Sequence, residues 1–190
     1  MRVLLVQSLS TEGISSEMVY PLGIVSLATH LESQGYEVKV LDLNLTTNPY
    51  SLLYETLQNV APDVVGVSLR NIDPLGNKTT SLIPPFMTIV RLIRKTAPSC
   101  CIVAGGTGYS LFPTQIMQLL PEITYGMVGE AEKSFPQLLA SLDNPPPLPG
   151  LCQRVGTEIQ IQSPSRAFDL QSHYTIPDRQ NLTPKPYRCV

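Results

Sequence analysis

The stretch Val64–Ser68, which reads VVGVS, is a continuous apolar run that ends in a serine. Such runs are typical of strands in parallel sheets, because helices cover both faces of the sheet and neither face meets water. Two similar runs occur at Arg2–Gln7 and at Cys101–Ala104, and the second of these leads into Gly105-Gly106. The three runs therefore predict buried parallel strands.

Two more strands and five helices extend this pattern in both directions along the chain. The additional strands are predicted at Tyr36–Asp42 and Tyr125–Val128. Apolar residues at helical spacing predict the helices, which run from Pro21 to a C-cap at Gly35, over Pro49–Val60, over Phe86–Ala97, over Pro113–Leu120 and over Ser134–Leu142. Strands that alternate with helices require parallel pairing and right-handed crossovers, so the fold class is α/β.

The alternation stops at Asn144–Gly150, which reads NPPPLPG and is predicted to be a stiff linker. A small hairpin around Gly156-Thr157 is expected over Cys152–Gln162, and after Ser163 the chain shows no periodicity. The predicted organisation is a domain over 1–143, a Pro-rich linker over 144–150, and a hairpin followed by an extended connector over 151–190.

Composition excludes several classes of function. Basic residues number 13 against 15 acidic ones, so no basic face for nucleic acid is expected. No apolar run is long enough for a membrane span, and the N-terminal run is too short for the core of a signal peptide. We therefore expect a cytoplasmic protein without a membrane partner, in which the four cysteines are free thiols.

The expected ligand site follows from the topology. In an open α/β sheet, ligands bind beyond the carboxyl ends of the strands. The connections there are rich in Gly, Ser, Thr and Pro, and they lie at 8–23, 68–85, 105–113 and 128–132. No P-loop, no dinucleotide-binding glycine motif, no H-E-x-x-H and no G-x-S-x-G occurs. The two histidines, His30 and His173, are far apart, so neither a metal site nor catalytic residues are predicted.

Several residues at this edge of the sheet are candidates, each with a purely structural alternative. Gly105-Gly106 would let a bulky ligand approach the backbone, or would simply form a tight turn. Ser68 would present its hydroxyl to a ligand, or would cap a turn. Arg70 would face the ligand, or would be a surface arginine in solvent. Glu130 would face the ligand, or would simply complement a helix N-terminus.

Four segments together resemble the cobalamin-binding domain that precedes the catalytic barrel in B12-dependent radical SAM enzymes. They are Tyr20-Pro-Leu-Gly23, Gly66-Val-Ser-Leu-Arg-Asn71, Gly105-Gly106 and Val128-Gly-Glu-Ala-Glu132. The resemblance implies a flavodoxin-like (Rossmann-like) three-layer sandwich with a five-stranded parallel sheet in the order 2-1-3-4-5. It also implies that cobalamin binds to Tyr20, Pro21, Leu22, Gly23, Ser68, Leu69, Arg70, Asn71, Gly105, Gly106, Thr107, Val128, Gly129 and Glu130.

The cobalt ligand of ordinary B12 carriers is missing. Those proteins use D-x-H-x-x-G in the first loop, where this chain has Met18 in place of the aspartate and Tyr20 in place of the histidine. The resemblance therefore implies base-off cobalamin without a protein histidine, its nucleotide tail entering past Gly105-Gly106. We expect Arg70 to lie below the corrin. Because arginine has no lone pair to offer to a metal, it would discourage a strong lower ligand there.

The cluster motif of radical SAM enzymes, C-x-x-x-C-x-x-C, does not occur. The resemblance implies that the connector Phe168–Val190 leads into a radical SAM barrel in cis beyond Val190, which would bind the [4Fe–4S] cluster and S-adenosylmethionine. The expected function is the cofactor-binding part of a methyltransferase with an unknown substrate. A free-standing corrinoid carrier and a flavodoxin-like module that has lost its cofactor remain alternatives, and a receiver domain is a weaker one.

Overall fold

The computed structural model describes residues 1–10, 19–73 and 80–164. Its strands are β1 (Arg2–Gln7), β2 (Glu37–Asp42), β3 (Val64–Ser68), β4 (Cys101–Gly105), β5 (Tyr125–Met127), β6 (Leu151–Val155) and β7 (Glu158–Ile161). Its α-helices are α1 (Leu22–Ser33), α2 (Pro49–Val60), α3 (Ile83–Thr96), α4 (Thr107–Leu111), α5 (Pro113–Leu119) and α6 (Ser134–Leu139). Met18, His173, Cys189 and the connector Phe168–Val190, for which we stated expectations, lie outside these ranges.

One sheet contains all seven strands, in the order β2-β1-β3-β4-β5-β6-β7. The first five pair in parallel, so the flavodoxin-like fold and the order 2-1-3-4-5 are confirmed. The predicted hairpin also forms, but β6 pairs antiparallel with β5, so the hairpin extends the sheet by two strands. Its two-residue turn uses Gly156, whose φ is 61° and lies in the left-handed region that such turns need.

Each face of the sheet carries its own apolar core, which is why the central strands read as unbroken apolar runs. Val3 and Leu5 of β1 pack beneath α1 and α6, whereas Leu4 and Val6 pack beneath the opposite layer. That opposite layer is built from α2, α3 and α5. Successive residues of a strand point to opposite faces, so a strand covered on both sides must be apolar at every position.

Helices α3, α4 and α6 differ most from the sequence prediction, and α6 ends at Leu139 and not at Leu142. Helix α3 begins at Ile83 and not at Phe86, because Pro84 and Pro85 fall in the first turn, where a helix needs no N–H from them. Helix α4 was not predicted, since its sequence, TGYSL, contains weak helix formers. Its Tyr109 is fully buried on the side of α3 and α5, so tertiary packing stabilises this short turn.

Tyr109 reaches the sheet at a glycine of β5. A side chain at Gly126 would overlap the Tyr109 hydroxyl, and Gly126 pairs with Cys152 of β6. Burial raises the pKa of the Cys152 thiol to about 11 and raises the pKa of Tyr109 as well, so both groups stay protonated at neutral pH.

The segment between α6 and β6 packs against the rest of the fold. Leu148 is buried in the core shared with α1 and α6, and Ser134 donates a hydrogen bond to the Pro149 carbonyl at 2.8 Å. The division into a domain over 1–143 and a second unit over 151–190 stays a prediction, since most of the second unit lies outside the described residues. Among the helices of the described ranges, none has the length and apolar character needed to cross a membrane.

We predict that Gly126→Ala lowers the free energy of unfolding by about 3 kcal/mol, because the new methyl group overlaps a fully buried tyrosine that has no room to move. Urea denaturation followed by circular dichroism measures this change. Gly23→Ala is the matched control: Gly23 lies in α1, nothing would lie within 4 Å of its new Cβ, and alanine should raise stability by up to about 1 kcal/mol. Equal effects of the two substitutions would contradict this packing.

Candidate functional site

The carboxyl ends of β1, β3, β4 and β5 present one row of side chains on the face covered by α1 and α6. The register pairs Gln7 with Ser68 and Ser68 with Gly105, and Met127 follows on the next strand. Ser68 and Gly105 are small, so the row leaves space above the two central strands. The strand order changes direction between β1 and β3, which is where open α/β sheets bind ligands.

A cavity of about 540 Å³ opens above this row, between α1 and α6. The strands contribute Gln7, Gly66, Ser68, Val103, Gly105 and Met127. The first loop and α1 contribute Tyr20, Pro21, Leu22, Gly23, Ile24 and Leu27, and the β5–α6 side contributes Gly129, Glu130, Ala131, Glu132 and Phe135. The walls are mainly apolar, as is usual for small-molecule sites of about 300–1,000 Å³.

Gly66 marks the floor of the cavity. A Cβ at this position would lie 2.7 Å from Leu5 Cδ2 and 3.6 Å from the Phe135 ring. Both side chains therefore occupy the space that the glycine leaves, and the cavity ends above them.

The turn from β4 into α4 is built on Gly106, whose φ of 98° is rarely adopted by residues with side chains. A Cβ there would lie 2.6 Å from the Leu69 carbonyl oxygen. The same oxygen accepts hydrogen bonds from the backbone N–H groups of Gly108 and Tyr109, at 2.9 and 3.2 Å. The turn thus holds the end of β3 against the start of α4.

Gly105 differs from Gly106 in what surrounds it. A Cβ at Gly105 would lie 3.6 Å from the Met127 carbonyl oxygen, an ordinary van der Waals contact. A substitution at Gly106 disturbs the backbone whether or not a ligand is present, so Gly105 is the position at which a larger side chain tests whether a ligand occupies the cavity.

Three charged residues stand at the mouth of the cavity: Arg70, Glu130 and Glu132. Arg70 and Glu132 are half-buried and Glu130 is exposed. None of the three forms an ion pair or a side-chain hydrogen bond with another residue of the described ranges. Their charges are therefore available to a ligand or to solvent.

Most of the candidate binding residues from the sequence meet at this cavity. It is lined by Tyr20, Pro21, Leu22, Gly23, Ser68, Arg70, Gly105, Gly106, Thr107, Gly129 and Glu130. Leu69 is not among the lining residues, because its side chain is fully buried in the core on the other face of the sheet. Val128 packs against that same core, and Asn71 lies outside the lining. Their role in binding stays a prediction.

Sequence reasoning missed several lining residues, among them Gln7, Met127, Phe135 and Ser110. Ser110 donates a hydrogen bond to the Gly106 carbonyl at 2.9 Å and accepts one from the Gly129 N–H at 3.1 Å, so it joins two loops of the site. Gln7 carried a signal that could have been used, because it is the polar end of an otherwise apolar strand. The position of Phe135 depends on how α6 packs, which one sequence does not reveal.

The structure places the described histidine far from the cavity mouth. His30 lies near the C-terminal end of α1, with its Nε2 2.9 Å from Gln34 Nε2, whereas Leu22 at the other end of α1 lines the cavity. Burial raises the pKa of the Cys101 thiol to about 11, and Cys101 lies at the start of β4, opposite the cavity. Within the described ranges, no group of three or more His, Cys, Asp or Glu residues could hold a metal ion.

The fold and this cavity define a domain that binds a ligand at the carboxyl ends of a doubly wound parallel sheet. Residues 15–139 match the sequence model of the B12 binding domain, and the chain belongs to that family. The resemblance expected from the sequence is thereby confirmed.

Relatives and solved structures agree with this assignment. The chain is 28% identical, over 126 residues, to tryptophan 2-C-methyltransferase of Streptomyces laurentii, and the match covers 65% of this chain and 21% of that protein. The structure of the radical S-adenosylmethionine methyltransferase TsrM from Kitasatospora setae, with cobalamin and a [4Fe-4S] cluster bound, superimposes with a TM-score of 0.74 at 27% identity. That match covers 85% of this chain and 30% of TsrM.

A third comparison concerns the fold alone. The cobalamin-dependent S-adenosylmethionine radical enzyme OxsB gives a TM-score of 0.74 at 18% identity, over 93% of this chain and 24% of OxsB. The chain spans 21% to 26% of the length of the curated relatives that it matches.

We predict that Gly106→Ala lowers the free energy of unfolding by about 2 kcal/mol or more, because alanine meets both an unfavourable φ and the Leu69 carbonyl. Gly105→Ala, one residue earlier, should change it by less than about 1 kcal/mol, since its Cβ makes only ordinary contacts. Urea denaturation of the two variants measures the difference. A Gly106→Ala variant as stable as the unmodified chain would show that the turn is not held as described.

Proposed function

We propose that this chain is the cobalamin-binding part of a B12-dependent radical SAM methyltransferase, and that it holds cobalamin base-off with the nucleotide tail inside the cavity between α1 and α6. One observation carries the proposal. The cavity opens at the carboxyl ends of β1, β3 and β4, where Ser68 and Gly105 leave the sheet surface uncovered.

The residues present fit such a tail. The apolar walls, among them Ile24, Leu27 and Phe135, suit an aromatic base, and a Cβ at Gly105 would project into the same region from the β4 side. No described residue shares a hydrogen bond with the Ser68 hydroxyl, which lies 2.8 Å from the position of a Cβ on Gly106. Ser68 is therefore the residue that we expect to bind the polar edge of the base.

Cobalamin and the protein would contribute different things to the reaction. When bound, cobalamin supplies a methyl group carried on cobalt. The residues of this chain would bind and orient the cofactor and would exclude water from its tail. The apolar walls stabilise the inserted tail through burial of its apolar surface.

The lower face of the corrin would meet no imidazole from the described residues. The described histidine, His30, lies at the far end of α1, and Tyr20 lines the mouth at the place where carriers have histidine. Arg70 also lines the mouth, and a guanidinium group has no lone pair to offer to cobalt. We propose that Arg70 lies below the corrin, where it discourages a strong lower ligand and so favours release of the methyl group.

The remaining activity requires more protein than this chain contains. The chain spans about a quarter of its curated relatives, and its sequence has no C-x-x-x-C-x-x-C motif. We propose that a radical SAM barrel in cis beyond Val190 binds the [4Fe–4S] cluster and S-adenosylmethionine and selects the substrate. Among the relatives, one is named for methylation of tryptophan.

The first test is uptake of cobalamin by the purified chain. After incubation with hydroxocobalamin and removal of the excess, the protein should show the visible spectrum of about one bound corrinoid. A colourless protein would contradict the proposal and favour a module that has lost its cofactor.

Gly105→Leu locates the binding site within the same assay. The larger side chain enters the cavity above β4, so we expect uptake to weaken at least about tenfold, a loss of about 1.4 kcal/mol. Gly105→Ala is the control and should bind nearly as the unmodified chain does. Circular dichroism verifies that both variants fold, and full uptake by folded Gly105→Leu would show that the tail lies elsewhere.

Electron paramagnetic resonance of the loaded protein, reduced to the cobalt(II) state, tests the lower ligand. We expect no splitting from a nitrogen donor, because none of the described residues that line the cavity, Tyr20 and Arg70 among them, offers an imidazole. Free cobalamin at neutral pH, with its own base coordinated, is the control that shows the splitting. Nitrogen splitting in the protein-bound form would contradict the base-off, histidine-free assignment.

A further inference from the structure

Gln7 is the last residue of β1 and lines the cavity beside Ser68. Its side chain is only 6% exposed, which is unusual for a glutamine at the end of a strand. The residues around it on this face are small or apolar, including Leu5, Gly66 and Val103. A polar group in such surroundings needs a hydrogen-bond partner.

The amide of Gln7 is satisfied on one side only. Its Nε2 donates to the carbonyl oxygens of Ser8 and Ser68, at 3.3 and 3.5 Å. Carbonyl oxygens only accept, so these two contacts require the nitrogen, and not the oxygen, to face the backbone. Oε1 then points away from both carbonyls, and no residue of the described ranges donates a hydrogen bond to it.

Gln7 lines the cavity, so its Oε1 can accept a hydrogen bond from a ligand held there. The lining residues that carry donors, among them Ser68 and Arg70, form no hydrogen bond with this oxygen. Cobalamin does carry donors on its tail, since the ribose of the nucleotide has free hydroxyl groups, whereas the neutral dimethylbenzimidazole ring has no N–H or O–H.

We propose that Gln7 determines specificity for corrinoids with a complete nucleotide tail, because its Oε1 accepts a hydrogen bond from a ribose hydroxyl inside the cavity. This inference rests on the proposed function and extends it. Gln7 thus recognises the ribose of the tail through a hydrogen bond, whereas the glycines and apolar side chains around it contact the rest of the tail.

The experiment compares two ligands and three proteins. Cobalamin and cobinamide share the corrin ring, but cobinamide lacks the nucleotide. In Gln7→Met, which keeps the length of the side chain and removes the acceptor, we expect the affinity for cobalamin to fall about tenfold and the affinity for cobinamide to change less than twofold.

Ser8→Ala is the matched control. The Ser8 hydroxyl donates to the same Ser68 carbonyl at 2.7 Å, yet Ser8 does not line the cavity. This substitution weakens the same link between β1 and β3 without removing a group from the cavity, so both affinities should stay within twofold of the unmodified chain.

The outcomes separate this inference from the proposed function. Equal losses for the two corrinoids in Gln7→Met, or no loss at all, would overturn the role of Gln7 while cobalamin binding stands. An unmodified chain that takes up neither corrinoid would overturn the proposed function, and this inference with it. Should Gln7→Met fail to fold, cobalamin analogues that each lack one free ribose hydroxyl test the unmodified chain: at least one should bind about tenfold more weakly, and full affinity for all would refute the inference.

Discussion

The row formed by Gln7, Ser68, Gly105 and Met127 is the constraint on which the rest of this structure depends. A parallel sheet covered by helices normally packs side chains against the helices along its whole length. Here the two central positions of the row are Ser68 and Gly105, whose side chains are a hydroxymethyl group and a hydrogen atom. These side chains are too small to fill the space between the sheet and helices α1 and α6. The cavity is the direct result.

The depth of the cavity follows from the layer below this row. Leu5 and Phe135 close over Gly66, so the core of α1 and α6 is complete beneath the opening. On the other face, Phe86 and Tyr109 are fully buried, and the packing reaches the ends of the strands. The face covered by α2, α3 and α5 is therefore packed along its whole length. The face covered by α1 and α6 lacks packing contacts at the carboxyl ends of the strands, where the cavity lies.

The sequence allowed the strands to be predicted well, because burial on both faces leaves an apolar run that local reasoning can read. Val64–Ser68 and Arg2–Gln7 were predicted to the residue. Helix α4 could not be predicted, since Tyr109 and its contact with Gly126 stabilise it through tertiary packing. For the same reason the pairing of β6 with β5 was missed: a hairpin is a local signal, but the strand that it joins is not.

The candidate site was likewise predictable only where a local sequence pattern marks its residues. Gly105 and Ser68 were found because they follow apolar runs at the edge where ligands bind. Gln7 was read only as the end of a strand, because its importance lies in an oxygen left without a donor, which depends on the carbonyls of Ser8 and Ser68. Gly106, which lines the cavity, also serves the turn, because a Cβ there would lie 2.6 Å from the Leu69 carbonyl oxygen. That Gly106 clears a path for the tail stays a prediction.

The central claim is that one face of the sheet, and not the other, receives the tail of a corrinoid. Hydrogen–deuterium exchange of the chain with and without hydroxocobalamin tests it most directly. The account predicts slower exchange in α1, in the β4–α4 turn and in the segment from β5 to α6, with α2, α3 and α5 unchanged. Protection confined to α2, α3 and α5, or no protection anywhere, would contradict it.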